Sequence, residues 1–317
     1  MNKKKTDLAG KIFAGVVIGG SILGTTAFLL SAPYKGEYIS EPIVETKPVE
    51  MEPEVVTPVE KKPELAIAHD EQGVDFVEVA NQAMTDGDVK AAFTALRKSL
   101  HGSQPTVDTL LRIGRIGREI RELELAEMAL LEAEKLDPRV ADIHVELARI
   151  YLSRDDNQEA HDAATKAIGL DKEHAAAWNL VGRSSMSLSS WQRAEAALSR
   201  AVELDPLNAM YRNNLGLLFV HMKRADDAID ELETAVELFE EDAPHFAFNN
   251  LGLAHEMAGN YEEARTAFEE ALTISPFYAR ARTNLERVEK QIDAIEEKKA
   301  FDTAKSLEPT IDGQESL

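Results

Sequence analysis

The 317-residue sequence contains no cysteine, few aromatic residues and far fewer basic than acidic side chains. The absence of cysteine excludes disulfides, thiolate nucleophiles and cysteine-ligated metal sites. The formal net charge of −22 argues against nucleic acid or an anionic membrane surface as a partner, because both require a basic protein surface. Runs of alternating Val, Ile and Thr are also missing after residue 75, where Ala, Leu and Glu dominate. This composition predicts an all-α fold for that part of the chain.

Residues 12–32 contain no charged side chain and are numerous enough to cross a bilayer core of about 30 Å as a helix. The lysines before them keep residues 1–11 on the cytoplasmic side: Lys3, Lys4, Lys5 and Lys11. A cleavable signal peptide is the alternative, but its apolar part usually has only ~7–15 residues. The sequence therefore predicts an uncleaved signal anchor in an inner membrane, with the following domain in the periplasm of a Gram-negative bacterium.

Two segments have the composition of disordered chain. Residues 33–72 are rich in proline, glutamate, valine and lysine, which predicts an extended, solvated linker between the anchor and the rest of the protein. Residues 304–317 contain Pro309 and Gly313 and are predicted to be a disordered tail.

A repeat of 34 residues occupies the chain between the linker and the tail. Its clearest copy is 175–208, with Trp178, Gly182, Trp191 and Ala194 at characteristic places. These residue types at these spacings resemble the tetratricopeptide repeat (TPR). Six units fit the same frame, with two extra residues before the last: 73–106, 107–140, 141–174, 175–208, 209–242 and 245–278. A polar-faced helix over 279–303 is predicted to cap the array.

The resemblance implies an all-α, right-handed superhelical solenoid of six helical hairpins plus the capping helix. In this family the inner groove is lined mainly by the first helix of each hairpin, and it binds peptides or helices of partner proteins. Small residues recur where the two helices of a hairpin approach: Ala80, Gly114, Ala148, Gly182, Gly216 and Gly252. His144 and Arg212 depart from the pattern, because their place usually holds a large apolar residue.

Arginines recur on the predicted inner face of the first helices. They are Arg112, Arg115, Arg118, Arg149, Arg183 and, in the cap, Arg287. In an acidic protein such a row is suited to bind carboxylates or an acidic helix. The alternative is that these arginines pair with neighbouring glutamates such as Glu119, Glu122 and Glu146.

Asparagines recur farther along the same helices, at two adjacent places of the repeat. They are Asn179, Asn213 and Asn249 at one place and Asn214, Asn250 and Asn284 at the next. The two series are similar to the asparagine ladder with which the repeat domain of O-linked GlcNAc transferases holds an extended peptide. An amide offers both a donor and an acceptor to a peptide backbone. The alternative is that some of these residues bond only within the stack.

No motif typical of an enzyme accompanies the repeats. The histidines are scattered, and neither an H-E-x-x-H zinc pattern nor a G-x-x-x-x-G-K-[ST] phosphate loop occurs. We therefore predict no enzymatic activity, no metal site and no cofactor.

The predicted function is that of a membrane-tethered scaffold that binds protein or peptide partners, acidic segments among them, in its groove. The architecture alone suggests assistance to an envelope machine for pilus formation, secretion, polymer export or division. Two alternatives stay open. One is a soluble periplasmic adaptor released by signal cleavage, and the other is a homo-oligomer whose repeats stack on one another.

Overall fold

The computed structural model describes residues 74–100 and 105–306. Within these residues the chain forms thirteen α-helices and one short 3-10 helix, Glu240–Asp242. The α-helices are α1 (Phe76–Thr85), α2 (Val89–Ser99), α3 (Val107–Glu119), α4 (Leu123–Leu136), α5 (Ala141–Ser153), α6 (Asn157–Leu170), α7 (Ala175–Ser187), α8 (Trp191–Leu204), α9 (Ala209–His221), α10 (Ala225–Phe239), α11 (His245–Ala258), α12 (Tyr261–Ile274) and α13 (Ala279–Ser306).

Helix ends follow from local sequence. The side chain of Asp75 accepts hydrogen bonds from two backbone N–H groups of α1, and Thr106 does the same for one N–H of α3, so orphan donors at these N-termini are satisfied. At the other end, α4, α8 and α12 stop just before Pro138, Pro206 and Pro276, since proline cannot continue a helix. The cap helix, predicted to end at residue 303, continues to Ser306.

The helices pair in sequence into six hairpins that stack in a row. Each odd-numbered helix up to α11 packs against the helix after it, and each second helix also packs on the first helix of the next hairpin. From α3 onward, consecutive first helices contact one another, while no comparable packing joins consecutive second helices of the described chain. The first helices therefore lie on the inner side of the array. The expected all-α TPR solenoid is confirmed.

The two helices of a hairpin approach most closely where a small residue faces a large one. A Cβ added to Gly216 would lie 2.5 Å from Cγ of Leu232, and one added to Gly252 would lie 2.5 Å from the ring of Phe268. The third hairpin instead has two residues of the same size, since Ala148 and Ala164 stand at the corresponding places and both are fully buried. Side-chain volume is thus shared between the two places, as close packing requires.

The turn inside each hairpin requires a left-handed residue. This residue is glycine in the first and last hairpins, where Gly87 and Gly259 have φ angles of 76° and 83°. The four central hairpins use other residues with positive φ, a conformation that costs an L-residue about 1–2 kcal/mol. These residues are Arg121, Asp155, Ser189 and Lys223.

The two departures from the repeat pattern have a common explanation. His144 Nε2 donates to the carbonyl of Pro138 at 3.3 Å, and Arg212 Nε donates to the carbonyl of Pro206 at 2.9 Å. Trp178 Nε1 makes the corresponding bond to the carbonyl of Lys172 at 2.8 Å. This place therefore accepts any long side chain with an N–H donor that can satisfy the loop carbonyl.

No helix within residues 74–100 or 105–306 is both long and apolar enough to cross a membrane. The predicted anchor 12–32, the linker 33–72 and residues 307–317 of the predicted tail lie outside the described residues.

Candidate protein-binding groove

The inner face of the array is formed by α3, α5, α7, α9, α11 and the first half of α13. Because these helices repeat in one register, a residue type that recurs in the sequence forms a row across them. All twelve residues predicted to line the groove lie on these helices, and none of them lies on α1. Their side chains nevertheless fall into three groups with different surroundings.

A buried carboxylate holds three of the predicted arginines. Glu146 on α5 has a side chain that is only 2% exposed. It accepts hydrogen bonds from Arg115 Nε at 3.2 Å, from Arg118 Nε at 3.2 Å and from one terminal nitrogen of Arg149 at 2.6 Å. A carboxylate has enough lone pairs for three charge-assisted bonds, so Glu146 ties α3 to α5 across the repeat boundary.

A second acidic residue extends this network toward α7. Asp142 pairs with Arg115 at 2.7 Å and with His174 Nε2 at 3.0 Å. Burial opposes ionisation of Asp142, but the bonds from His174 and Arg115 outweigh it and lower the pKa of Asp142 below its ordinary value. Asp142 is therefore ionised at neutral pH. Of the three glutamates named above as alternative partners of the arginines, Glu146 does pair with them.

The remaining predicted arginines differ in their partners. Arg112 donates to Asn81 at 2.7 Å, and Arg287 pairs with Glu256 at 2.5 Å. Arg183 on α7 pairs with no carboxylate of the described residues. Its surroundings in the groove desolvate it, and together with the nearby charge of Arg149 they lower the pKa of Arg183 below its ordinary value.

Part of the inner face carries a net positive charge. We call Arg115, Arg118, Arg149 and Arg183, with Glu146 and Asp142, the arginine cluster. Four positive and two negative charges leave a net charge of +2 on this part of the inner face. The whole chain has a formal net charge of −22, so the arginine cluster is a local reversal of sign.

The predicted asparagines bond to one another between successive hairpins. Each asparagine at the second place donates from Nδ2 to Oδ1 of the asparagine at the first place in the preceding hairpin. The pairs are Asn214 to Asn179 at 2.8 Å, Asn250 to Asn213 at 3.1 Å and Asn284 to Asn249 at 2.9 Å. Asn213 is only 3% exposed, and Asn250 is also buried. These amides therefore hold the stack together, and their contact with a partner stays a prediction.

A pocket of about 350 Å³ opens between α7 and α9. Its lining comprises Arg183, Met186, Ser187, Trp191, Asn214, Leu217 and His221. The rings of Trp191 and His221 stack at 5.8 Å with an interplanar angle of 16°. Desolvation lowers the pKa of His221, which keeps the ring neutral at pH 7. Of these lining residues, the repeat pattern had identified only Arg183 and Asn214. The other lining residues join them in one pocket because the fourth and fifth hairpins pack against each other.

Within residues 74–100 and 105–306, no group of three or more His, Asp or Glu residues could hold a metal ion. In this part of the chain the predicted groove residues are instead held in ion pairs and hydrogen bonds, with Arg183 as the exception. Such a surface can bind a chain through charge, hydrogen bonds and apolar contact.

The sequence is similar to those of several known proteins. It is 24% identical over 213 residues to the BBSome complex member BBS4 homolog of Drosophila melanogaster, a match that covers 67% of this chain and 43% of the relative. It is 25% identical over 223 residues to the peroxisomal targeting signal receptor of Candida albicans, covering 67% of this chain and 37% of the relative. The chain thus spans less than half the length of either relative.

Solved structures share the fold. A tetratricopeptide repeat protein from Parabacteroides merdae matches with a TM-score of 0.56 and 17% identity, covering 74% of this chain and 93% of that one. The APC/C hetero-tetramer Cut9–Hcn1 matches with a TM-score of 0.58 and 19% identity, covering 66% of this chain and 41% of that one. At these identities the likeness shows the fold alone.

The sequence profile described as the Cilia and flagella-associated protein 70 C-terminal domain matches residues 140–316, which are more than half of the chain. The matched region begins just before α5 and contains the last four hairpins and the cap helix. With its stacked hairpins and this match, the chain belongs to the TPR family described as the Cilia and flagella-associated protein 70 C-terminal domain.

Proposed function

We propose that this protein is a scaffold that binds a segment of a partner protein along the inner face of its hairpin stack. The observation that carries this proposal is the arginine cluster, with its net charge of +2 in a strongly acidic chain. Like charges elsewhere on the surface repel an acidic partner, whereas the arginine cluster attracts it, so charge directs such a partner to the inner face.

The named relatives support a role in protein assembly. One is a member of the BBSome complex, one is a receptor for a targeting signal, and one solved structure is a hetero-tetramer. Each name describes that protein, and the chain spans less than half of each. Together they favour recognition of another protein over catalysis.

The scaffold is proposed to work at a membrane. Support comes from the charge-free segment 12–32, from the lysines before it and from the proline-rich residues 33–72, which would separate the hairpins from the bilayer. In this arrangement the hairpins face the periplasm and gather partners of an envelope machine.

Site-specific photo-crosslinking in the native cells tests the groove. A photoreactive amino acid is placed at Ser187 or Leu217 on first helices, and at the exposed Met128 or Ile274 on second helices as matched controls. We expect the inner positions to give a discrete adduct whose partner is identified by mass spectrometry. Adducts from the second-helix positions alone would refute binding on the inner face.

The tether has a separate test. Washing membranes with alkaline carbonate should leave the full-length chain in the pellet, and N-terminal sequencing should find the lysine-rich start intact. A mature protein that begins near Pro33 and appears in the wash would show that residues 12–32 are removed rather than retained.

A further inference from the structure

The pocket between α7 and α9 combines an unpaired cation with an apolar interior. Arg183 and Ser187 lie one helical turn apart on the same face of α7, so the guanidinium and the hydroxyl converge on one space. Met186 and Leu217 supply apolar surface, and Trp191 supplies an aromatic ring stacked on His221. This combination of a convergent polar group and an apolar cavity is typical of a binding site.

Other polar groups at this pocket also have unused bonding capacity. Asn214 donates one N–H to Asn179, and its Oδ1 accepts no hydrogen bond from the described residues. The Ser187 hydroxyl, unlike that of Ser153 on α5, donates to no carbonyl within the described chain. A peptide can therefore donate a backbone N–H to Asn214 and accept from Ser187 without breaking a bond of the stack.

A second pocket at the same register differs from the first in the charge of its lining. It has a volume of about 360 Å³ and lies two hairpins farther along, with Leu253, Glu256, Met257, Tyr261 and Gln291 in its lining. Here the charged wall residue is Glu256, already neutralised by Arg287. The two pockets have similar volumes and equivalent places in the repeat. Of the two, the pocket beside α7 is the one with an unpaired positive charge.

We propose that the pocket between α7 and α9 binds an acidic segment of the partner protein. One carboxylate of the segment pairs with Arg183, and a neighbouring apolar side chain enters the space between Met186, Trp191 and Leu217. The positive charge does not end at Arg183, because the arginine cluster continues through Arg149 to Arg115 and Arg118. That extent favours an internal segment with several acidic side chains over a single C-terminal carboxylate.

The proposal rests on the proposed scaffold function, and its test uses a defined probe. The probe is a short fluorescein-labelled peptide, blocked at both ends, in which glutamates flank one leucine. Its binding to the full-length protein in detergent is followed by fluorescence anisotropy. Arg183→Gln is expected to weaken binding about tenfold or more, because a charge-assisted pair is lost. Arg183→Lys keeps the charge but not the planar guanidinium, so its affinity for the probe should lie between those of the wild type and Arg183→Gln.

Two peptides and one protein variant serve as controls. Replacing the glutamates by glutamines should abolish the difference between wild type and Arg183→Gln, and replacing the leucine by serine should weaken binding to both proteins. Arg200→Gln removes the same charge from α8, where Arg200 pairs with Glu203, and should leave binding unchanged. Circular dichroism confirms that each variant is folded.

Three results would overturn the proposal: no binding of the probe to the wild type, equal loss in Arg183→Gln and Arg200→Gln, or equal affinity for the leucine and serine peptides. Failure of the scaffold function is distinguishable, since it appears as the absence of crosslinks from Ser187 and Leu217. If those crosslinks form while the probe does not bind, the groove is used but its ligand is not an acidic segment in this pocket.

Discussion

Replacing Gly216 by alanine should destabilise the protein, although alanine is the better helix former. Gly216 lies within α9 and faces Leu232 of α10, whose side chain is 0% exposed. The new methyl group would lie 2.5 Å from Cγ of Leu232 and 3.3 Å from the carbonyl oxygen of Ala228. Carbon atoms in favourable contact are about 3.5–4.0 Å apart, so the helices must separate or the leucine must leave its rotamer.

The two opposing contributions can be compared. Alanine favours a helix over glycine by about 1 kcal/mol. Overpacking a dense core costs about 1–3 kcal/mol, which exceeds that gain and leaves a net loss of about 1 kcal/mol. Leu232→Ala alone should cost about 2–5 kcal/mol. With Leu232 already shortened, Gly216→Ala no longer clashes and partly fills the cavity, so its effect should change sign and stabilise by about 1 kcal/mol.

Urea denaturation of the four proteins in this cycle, followed by circular dichroism, measures the coupling, which should be about 2 kcal/mol. The third hairpin, where Ala148 faces Ala164, shows that the double-alanine arrangement fits the fold. Gly169→Ala on α6 is the control, because nothing lies within 4 Å of its added Cβ, and it should only stabilise. If Gly216→Ala stabilises as much as Gly169→Ala, the close-packing argument is wrong.

Two other predictions concern the turns and the buried histidine. Ser189→Gly should raise the free energy of unfolding by about 0.5–1 kcal/mol, because glycine relieves the left-handed strain but adds freedom to the unfolded chain. Burial lowers the pKa of His144, so the unfolded chain binds protons more readily than the folded chain, and the free energy of unfolding should fall between about pH 7 and pH 5. His144→Phe should reduce that fall in urea denaturation.

Each of these predictions has a matched control. Gly259→Ser makes the reverse change at the same turn of the last hairpin, where φ is 83°, and should destabilise. A lower midpoint for Ser189→Gly would contradict the strain argument. For His144, the comparison variant is His245→Phe. If His144→Phe retains the whole pH dependence of the wild type, the buried ring of His144 does not cause it.

The repeat frame was predictable because it depends on local spacing. Small residues at one place and prolines after the second helices define hairpins in any context, and the structure forms α3, α5, α7 and α9 where this frame requires first helices. The departures at His144 and Arg212 were harder to interpret. Their bonds to loop carbonyls become visible only when the loop is folded.

The partners of polar side chains were much less predictable. Arginines and asparagines recur at equivalent places, yet Glu146 binds three arginines while Arg183 receives no carboxylate of the described residues. The asparagines, predicted to face a peptide, bond between hairpins. A place in the repeat fixes the face on which a side chain lies, whereas its partner depends on the residue at the neighbouring place of the next hairpin.

By itself, the sequence determined the fold class, the hairpin frame and the helix faces, because each follows from periodicity within one hairpin. It also determined the acidity of the chain and the row of arginines. Only the tertiary structure decided which charges are neutralised, which amides are committed to the stack, and where Trp191, Leu217 and Arg183 form one pocket. These features arise between hairpins, where stacking brings together side chains about a full repeat apart in sequence.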